Sequence, residues 1–202
     1  MDAIAQRTQL AYDQIAPDFA ATYAAMPPNL AALADRLARH VGPRGAIADI
    51  GCGHGRDTAW LERTNHLTIG FDLSFQMLRQ ARTITHGNLV QMDMRQPAVP
   101  NACFDGIWCC ASLLHLPKSQ VATALIEFRR IIRAQGMLIL SIQEGNSEGW
   151  VWSERDHVER YFARYSISEM SERLARAGFA IHEQTTAPGV SARWLEFVCI
   201  AI

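Results

Sequence analysis

The chain lacks a strong charge of either sign. Its 202 residues carry 19 Lys and Arg against 20 Asp and Glu, a formal net charge of -1. That balance gives no electrostatic footprint for nucleic acid or an anionic membrane surface. No apolar run is long enough to span a bilayer. The first residues have no basic stretch followed by an apolar block, so no signal peptide is expected and a cytoplasmic location follows. Cysteine is sparse and odd in number: Cys52, Cys103, Cys109, Cys110 and Cys199. Without Cys-x-x-Cys spacing, reduced buried thiols are expected, not disulfides or a metal site. There is no internal repeat, no low-complexity tract and no linker rich in Gly, Pro or Ser. With 49% hydrophobic residues, the length suits one domain with a full core.

What is present is an alternation of strand and helix patterns. Residues 2–24 have helical spacing through Ile4, Leu10, Tyr12, Ile15 and Phe19, with Pro17 expected to kink or divide the run. Pro27-Pro28 marks a break, and Asn29 is expected to cap a second helix running to about His40. Strands are then expected at 46–50, 67–71, 89–91, 104–110 and 137–142, with helices at 57–63, 75–83 and 118–133 between them. A helix at 168–176 ends at Gly178, and strands at 179–184 and 194–200 follow without a helix between them. This order implies an α/β fold: a Rossmann-like, doubly wound, seven-stranded and mostly parallel sheet with an antiparallel C-terminal hairpin. Residues 1–41 are expected to form an N-terminal helical lid on a 42–202 core, the whole being one domain.

The ends of the first four strands carry the chemistry. The first runs into Gly51-Cys52-Gly53-His54-Gly55-Arg56, a glycine loop opening a helix. Open α/β sheets bind ligands at the carboxyl ends of such strands. The spacing is not that of dinucleotide enzymes, because Arg56 stands where the last glycine is required. The second strand ends in Asp72, 17 residues beyond Gly55, a position from which a carboxylate accepts ribose hydroxyls. The third leads to Asp93-Met94: an acceptor for an exocyclic base amine, and a flat apolar surface for the ring. The fourth ends in Cys109-Cys110-Ala111 and continues to His115. A backbone cradle, two carboxylates and apolar walls together point to an adenosine-containing ligand.

These segments resemble the class I S-adenosylmethionine-dependent methyltransferases. ADIGCGHGRDT is similar to the first motif of that family, GFDLS to the second, QMDM to the third and FDGIWCCASLLHL to the fourth. Gly178-Phe179 with WLEFVCIA resembles the last hairpin, and YDQIAPDFAATY the lid helix of small bacterial members. The resemblance implies S-adenosylmethionine as cofactor. Its expected contacts are Tyr12, Asp49, Gly51, Cys52, Gly53, Gly55, Arg56, Asp72, Leu73, Ser74, Met77, Asp93, Met94, Cys109 and Cys110. Arg56 would hold the methionine carboxylate, and Tyr12 and Tyr23 would close over the sulfonium.

A sulfonium methyl is already activated, so a base is needed only for a protonated acceptor. The candidates are His115, His157, Tyr161 and Tyr165; His115, His157 and Tyr161 are the expected catalytic residues. His157 and Tyr161 lie in an insert at 150–165, rich in Trp, Arg, His and Tyr, read as a loop lining an amphipathic pocket. Asn-Pro-Pro-Tyr is missing, which argues against the adenine amino methyltransferases of DNA. A Pro-Cys pair for attack on cytosine carbon is also missing, and no acidic set suits a magnesium-dependent catechol enzyme. The expectation is a small-molecule acceptor with an oxygen or nitrogen nucleophile, no metal, no membrane or nucleic-acid partner, and a monomer or homodimer. A macromolecular acceptor, a non-catalytic S-adenosylmethionine-binding protein and a nicotinamide oxidoreductase are the alternatives.

Overall fold

The structure, a computed structural model, describes residues 2–63, 66–189 and 192–202. Two helices come first, α1 (Ala3–Thr22) and α2 (Pro28–Val41). The alternating unit follows: β1 (Ala46–Ile50), α3 (Arg56–Glu62), β2 (Leu67–Asp72), α4 (Phe75–Ala81), β3 (Asn88–Gln91), β4 (Phe104–Cys110), α5 (Val121–Ile131) and β5 (Ile132–Gln143). After these come β6 (Glu148–Ser153), β7 (Val158–Ala163), α6 (Ile167–Arg176), β8 (Phe179–Ala187) and β9 (Trp194–Ala201).

Seven strands form one sheet in the order β3-β2-β1-β4-β5-β9-β8. The first five are parallel, and β9 runs antiparallel to both β5 and β8. The expected Rossmann-like architecture is therefore the observed one. The order reverses between β1 and β4, which opens a crevice at their carboxyl ends.

Side chains alternate across the strands, so each central strand feeds two cores. Ala48, Ile50, Phe71, Ile107, Cys109, Leu138 and Leu140 face a cluster filled by Val121, Leu125, Phe128 and Ile131 of α5 and by Met170 and Leu174 of α6. Ile47, Trp108, Cys110, Ile139, Val198 and Ile200 face Ala34 and Leu37 of α2 and Leu61 of α3. A third cluster sits at the carboxyl end of the sheet. There Ala11, Ile15 and Ala16 of α1 cover Met77 of α4 and Val158 of β7. This last contact lays α1 across the crevice.

Four local expectations are corrected. Pro17 does not divide the first helix, because it lies on the exposed side of α1 while Ala11, Ile15 and Ala16 are packed. Asn29 does not cap α2. Pro27 stands at the cap with Pro28 just inside, where a missing N–H costs nothing, and the Asn29 amide donates to Glu196 instead. Strand β5 starts at Ile132, directly after α5, and breaks register before Gly106 pairs with Met137; Gln135 takes φ +65° there. The stretch read as a loop at 150–165 is largely the antiparallel hairpin β6–β7. Trp150, Val151 and Trp152 on one strand and Val158, Tyr161 and Phe162 on the other are strand-forming residues, a signal the polar charge pattern around them obscured.

Candidate active site

The glycine loop is held to the end of β2. Gly51 N–H and Cys52 N–H both donate to the Phe71 carbonyl, at 2.7 and 3.0 Å, and Gly53 N–H donates to Asp72 Oδ2 at 2.8 Å. Gly51 has φ +76°, and a Cβ there would lie 2.1 Å from the Ser112 Cβ, so no side chain is tolerated. Gly53 also has a left-handed backbone, φ +53°, yet nothing lies within 4 Å of its missing Cβ. One glycine is required by packing and the other leaves open space above the backbone, the arrangement a ligand needs to approach the main chain. Gly55 is the N-cap of α3, so its helix amides begin beside the loop.

Asp72 accepts a second backbone N–H, from Ser74 at 2.8 Å, and keeps further lone pairs. It is half-buried. Burial pushes its carboxyl up to about 6, against the two N–H donors, and the Asp13 charge adds to the rise. Hydroxyl donors from a ribose would stabilise the anion here. Asp93 is gripped by Arg95: the backbone N–H and Nε both reach Oδ1 at 2.9 Å, and Nη2 pairs with Oδ2. Burial raises the Asp93 carboxyl, but the Arg95 bonds outweigh it and leave it below its ordinary value. Arg95 also bonds Asp2 and Gln120, so it ties the start of α1 to the segment after β3. Met94 is half-buried against the main core.

Several expected contacts already have partners within the chain. Asp49 is buried and accepts the Thr58 hydroxyl at 2.6 Å; burial holds its carboxyl well above the ordinary range. Ser74 caps α4 and donates to Asp13 Oδ1 at 2.6 Å, and Met77 is buried beneath α1. The Leu73 carbonyl accepts from Gln91. The Cys52, Cys109 and Cys110 thiols are buried and their pKa values are pushed up by burial, so none is a thiolate at neutral pH. Cys109 Sγ sits 3.1 Å from Ser112 Oγ, which itself donates to the Ile50 carbonyl. Arg56 pairs with Asp57 through Nε at 2.6 Å and reaches the Tyr23 carbonyl at 3.5 Å.

Across the crevice, a short 3-10 turn after β4, Leu113–His115, delivers His115 to α1 and β7. Its Nδ1 lies 2.6 Å from the Tyr161 carbonyl and its Nε2 lies 2.7 Å from the Tyr12 hydroxyl. A carbonyl only accepts, so the proton sits on Nδ1, and Nε2 is the acceptor of the Tyr12 O–H. Burial lowers the His115 pKa to about 4, so the ring is neutral near pH 7. Tyr12 and Phe162 stack edge-on against the imidazole, with centroids 5.2 and 4.9 Å away.

The other candidate bases are placed differently. Tyr161 offers His115 its carbonyl, while its hydroxyl donates to Glu148 at 2.9 Å, beside Trp150. Successive strand residues point to opposite faces, and this separates the phenol from the imidazole. His157 is exposed in the turn of the hairpin, with φ +52°, against the ring of Trp152. Tyr165 is fully buried beneath Lys118 and Arg173. Tyr23 is exposed, its carbonyl 3.2 Å from His54 Nε2 and its hydroxyl accepting from Arg155.

Sequence reasoning did not single out Asp13, Arg95, Ser112, Arg160 or Phe162. Asp13 was legible only as a polar residue in a helix; its role depends on α1 crossing the N-terminus of α4, where it accepts Ser74 Oγ and Gln76 N–H.

Residues 48–140 match a family model described as a methyltransferase domain. Methyltransferase GfsG of Streptomyces halstedii is 32% identical over 104 residues; the match takes in 47% of this chain and 36% of GfsG, about a third of that protein's length. The 1,6-didemethyltoxoflavin-N1-methyltransferase of Burkholderia thailandensis, solved with 1,6-didemethyltoxoflavin and S-adenosylhomocysteine bound, superposes with a TM-score of 0.76 at 20% identity, over 98% of this chain and 88% of that one. The [4+2]-cyclase SpnF gives a TM-score of 0.76 at 15% identity, over 96% of each chain. At those identities the two structures establish the fold. Residues 48–140 are thus similar to a methyltransferase domain, and the fold of an S-adenosylmethionine-dependent methyltransferase is shared along nearly the whole chain.

Proposed function

We propose that the chain transfers a methyl group from S-adenosylmethionine to a small-molecule acceptor through an oxygen or nitrogen nucleophile. SpnF shares the fold, so the transfer reading rests on the site and not on architecture. The carrying observation is His115: neutral, locked in one tautomer by the Tyr161 carbonyl, and presenting Nε2 to a hydroxyl at the carboxyl end of β4.

The residues present fit the cofactor. Asp72 would accept the ribose hydroxyls, Asp93 the adenine amine, and Met94 would lie on the ring. The loop at Gly51, Gly53 and Gly55 would approach the methionine half, with Arg56 near its carboxylate. When bound, the cofactor supplies a methyl group activated by the sulfonium. Helix α1, as a lid of residues 1–41 over the 42–202 core, would exclude water, with Tyr12 and Tyr23 beside the positive sulfur. An acceptor hydroxyl or amine replacing the Tyr12 hydroxyl at Nε2 would be aligned there. A base with a pKa near 4 takes a proton only late, once methylation has made the nucleophile acidic. His115 is therefore a late proton acceptor and an orienting group, not a strong base. His157 and Tyr161 remain as pocket residues of the hairpin in this reading.

The near-neutral charge supports a small acceptor over a nucleic acid. No helix among the described residues is long and apolar enough to cross a membrane, and a cytoplasmic monomer or homodimer goes with this reading. The test is formation of S-adenosylhomocysteine from S-adenosylmethionine across a panel of phenols, amines and heterocycles. Turnover that falls in His115→Ala supports the reading. Tight cofactor binding with no turnover on any acceptor would favour the non-catalytic alternative.

A further inference from the structure

One buried cation in the β6–β7 hairpin is left without a full set of partners. Arg160, on β7, has a side chain only 12% exposed, and its Nε is buried with no hydrogen-bond partner among the described residues. Its Nη2 donates to Asp156 at 2.9 Å, but that carboxylate is shared. Arg155 takes it through Nε and Nη2 at 2.8 and 3.1 Å, and Ser153 Oγ donates to it at 2.9 Å. One carboxylate thus faces two guanidinium groups and leaves positive charge over. Burying a guanidinium N–H without an acceptor is costly, so a purely structural arginine would be expected to satisfy it.

The position of Arg160 says what would. Its guanidinium carbon is 5.5 Å from the centroid of Tyr12 and 5.7 Å from that of Phe162. Those are the two rings that flank His115. The Arg160 guanidinium therefore borders the same two rings as the His115 imidazole, whose Nε2 receives the Tyr12 hydroxyl. Arginine pairs with carboxylates better than with any neutral group, and edge-on aromatic walls accept a flat ring.

We infer that the acceptor is a planar aromatic acid whose carboxylate is taken by Arg160 while its nucleophile faces His115. The inference rests on the methyl-transfer reading and names its substrate class. Arg160 is a specificity-determining residue in it.

The test titrates the protein, saturated with S-adenosylhomocysteine, with salicylate, 4-hydroxybenzoate and indole-3-carboxylate, each against its primary amide. We expect at least one acid to bind about tenfold or more tighter than its amide, the loss of one charge-assisted bond. Arg160→Gln should reduce that preference to about twofold while leaving the S-adenosylhomocysteine Kd unchanged, and Arg160→Lys should restore part of it. The comparison of acid with amide on the unaltered protein stands even if a variant fails to fold. Acids and amides binding alike, or none binding, would overturn the inference. So would a weakened S-adenosylhomocysteine affinity in Arg160→Gln, which would assign the residue to the cofactor's own carboxylate. If the unaltered protein did not bind S-adenosylhomocysteine at all, the cofactor reading itself would fail.

Discussion

The two halves of the crevice are built on different principles. The loop half, at the ends of β1 and β2, is made by backbone groups: amides on the Phe71 carbonyl, amides on Asp72, and a glycine pressed onto Ser112. The opposite half, from α1 and the β6–β7 hairpin, is made by side chains: Tyr12 on His115, Arg7 on Glu159 and Trp150, and Arg160 and Arg155 on Asp156. Backbone recognition is insensitive to most substitutions but intolerant of a few. Side-chain recognition is replaceable position by position. A fold with a constant cofactor and varying acceptors would divide its site in this way. Helix α1 belongs to both halves, since Asp13 holds α4 on one side and Tyr12 holds His115 on the other.

The division is sharpest at Gly51. Gly51→Val puts a Cβ into Ser112 at a positive φ. Strain and overpacking each cost about 1–3 kcal/mol, and together we expect a loss of about 3 kcal/mol or more. A thermal melt would show this as a drop of roughly 6–12 °C, accompanied by loss of S-adenosylhomocysteine binding. An unchanged melt would mean that the loop is not constrained as described.

His115→Ala probes the other half. Turnover should fall about 10–100-fold if His115 orients the acceptor and takes its proton late, with the S-adenosylhomocysteine Kd nearly unchanged. Equal losses in binding and turnover would merge the two halves. The contact between α1 and α4 responds less. Asp13→Ala removes the acceptor for Ser74 Oγ and Gln76 N–H, and should cost about 1 kcal/mol, or roughly 2–4 °C in the melt. The smallest effect is expected at Arg7→Ala. Arg7 and Glu159 are 57% and 39% exposed, and such a pair contributes about 0–1 kcal/mol, read by urea denaturation. A larger loss there would show that the packing of α1 on β7 depends on surface charge.

The same division governs how much was legible in the sequence. Strands β1 and β4 were read to the residue because both cores demand apolar side chains at most of their positions, Asp49 and Asp105 excepted. Gly51, Gly53 and Asp72 were legible because their geometry is local: a turn and the strand beside it. The hairpin β6–β7 was not, since alternating Trp, Arg and Tyr read as a polar insert until pairing across the turn fixes which face each takes. Tyr161 shows the consequence. It was named as a candidate base beside His115, and it is the Tyr161 carbonyl, not the phenol, that makes the contact. Arg56 and Asp93 were read as free for ligand, whereas Asp57 and Arg95 already engage them. Arg56 and Asp57 are adjacent and legible as a pair at a helix start, whereas the Arg95 grip on Asp93 depends on the turn after β3.

The most direct measurement is calorimetric titration of S-adenosylhomocysteine between pH 5 and 8, on the unaltered protein and on Asp72→Asn. The Asp72 carboxyl is raised to about 6, and the anion is the form that ribose hydroxyls stabilise. Binding should therefore be tightest above pH 6 and weaken as pH falls through it, by at most about tenfold per unit for one proton. Asp72→Asn should bind about 10–100-fold more weakly at pH 8, a loss of about 1–3 kcal/mol, and its contribution to the pH dependence should vanish. No binding at pH 8, or an Asp72→Asn variant that binds like the unaltered protein, would contradict the assignment of the loop and Asp72 to the cofactor.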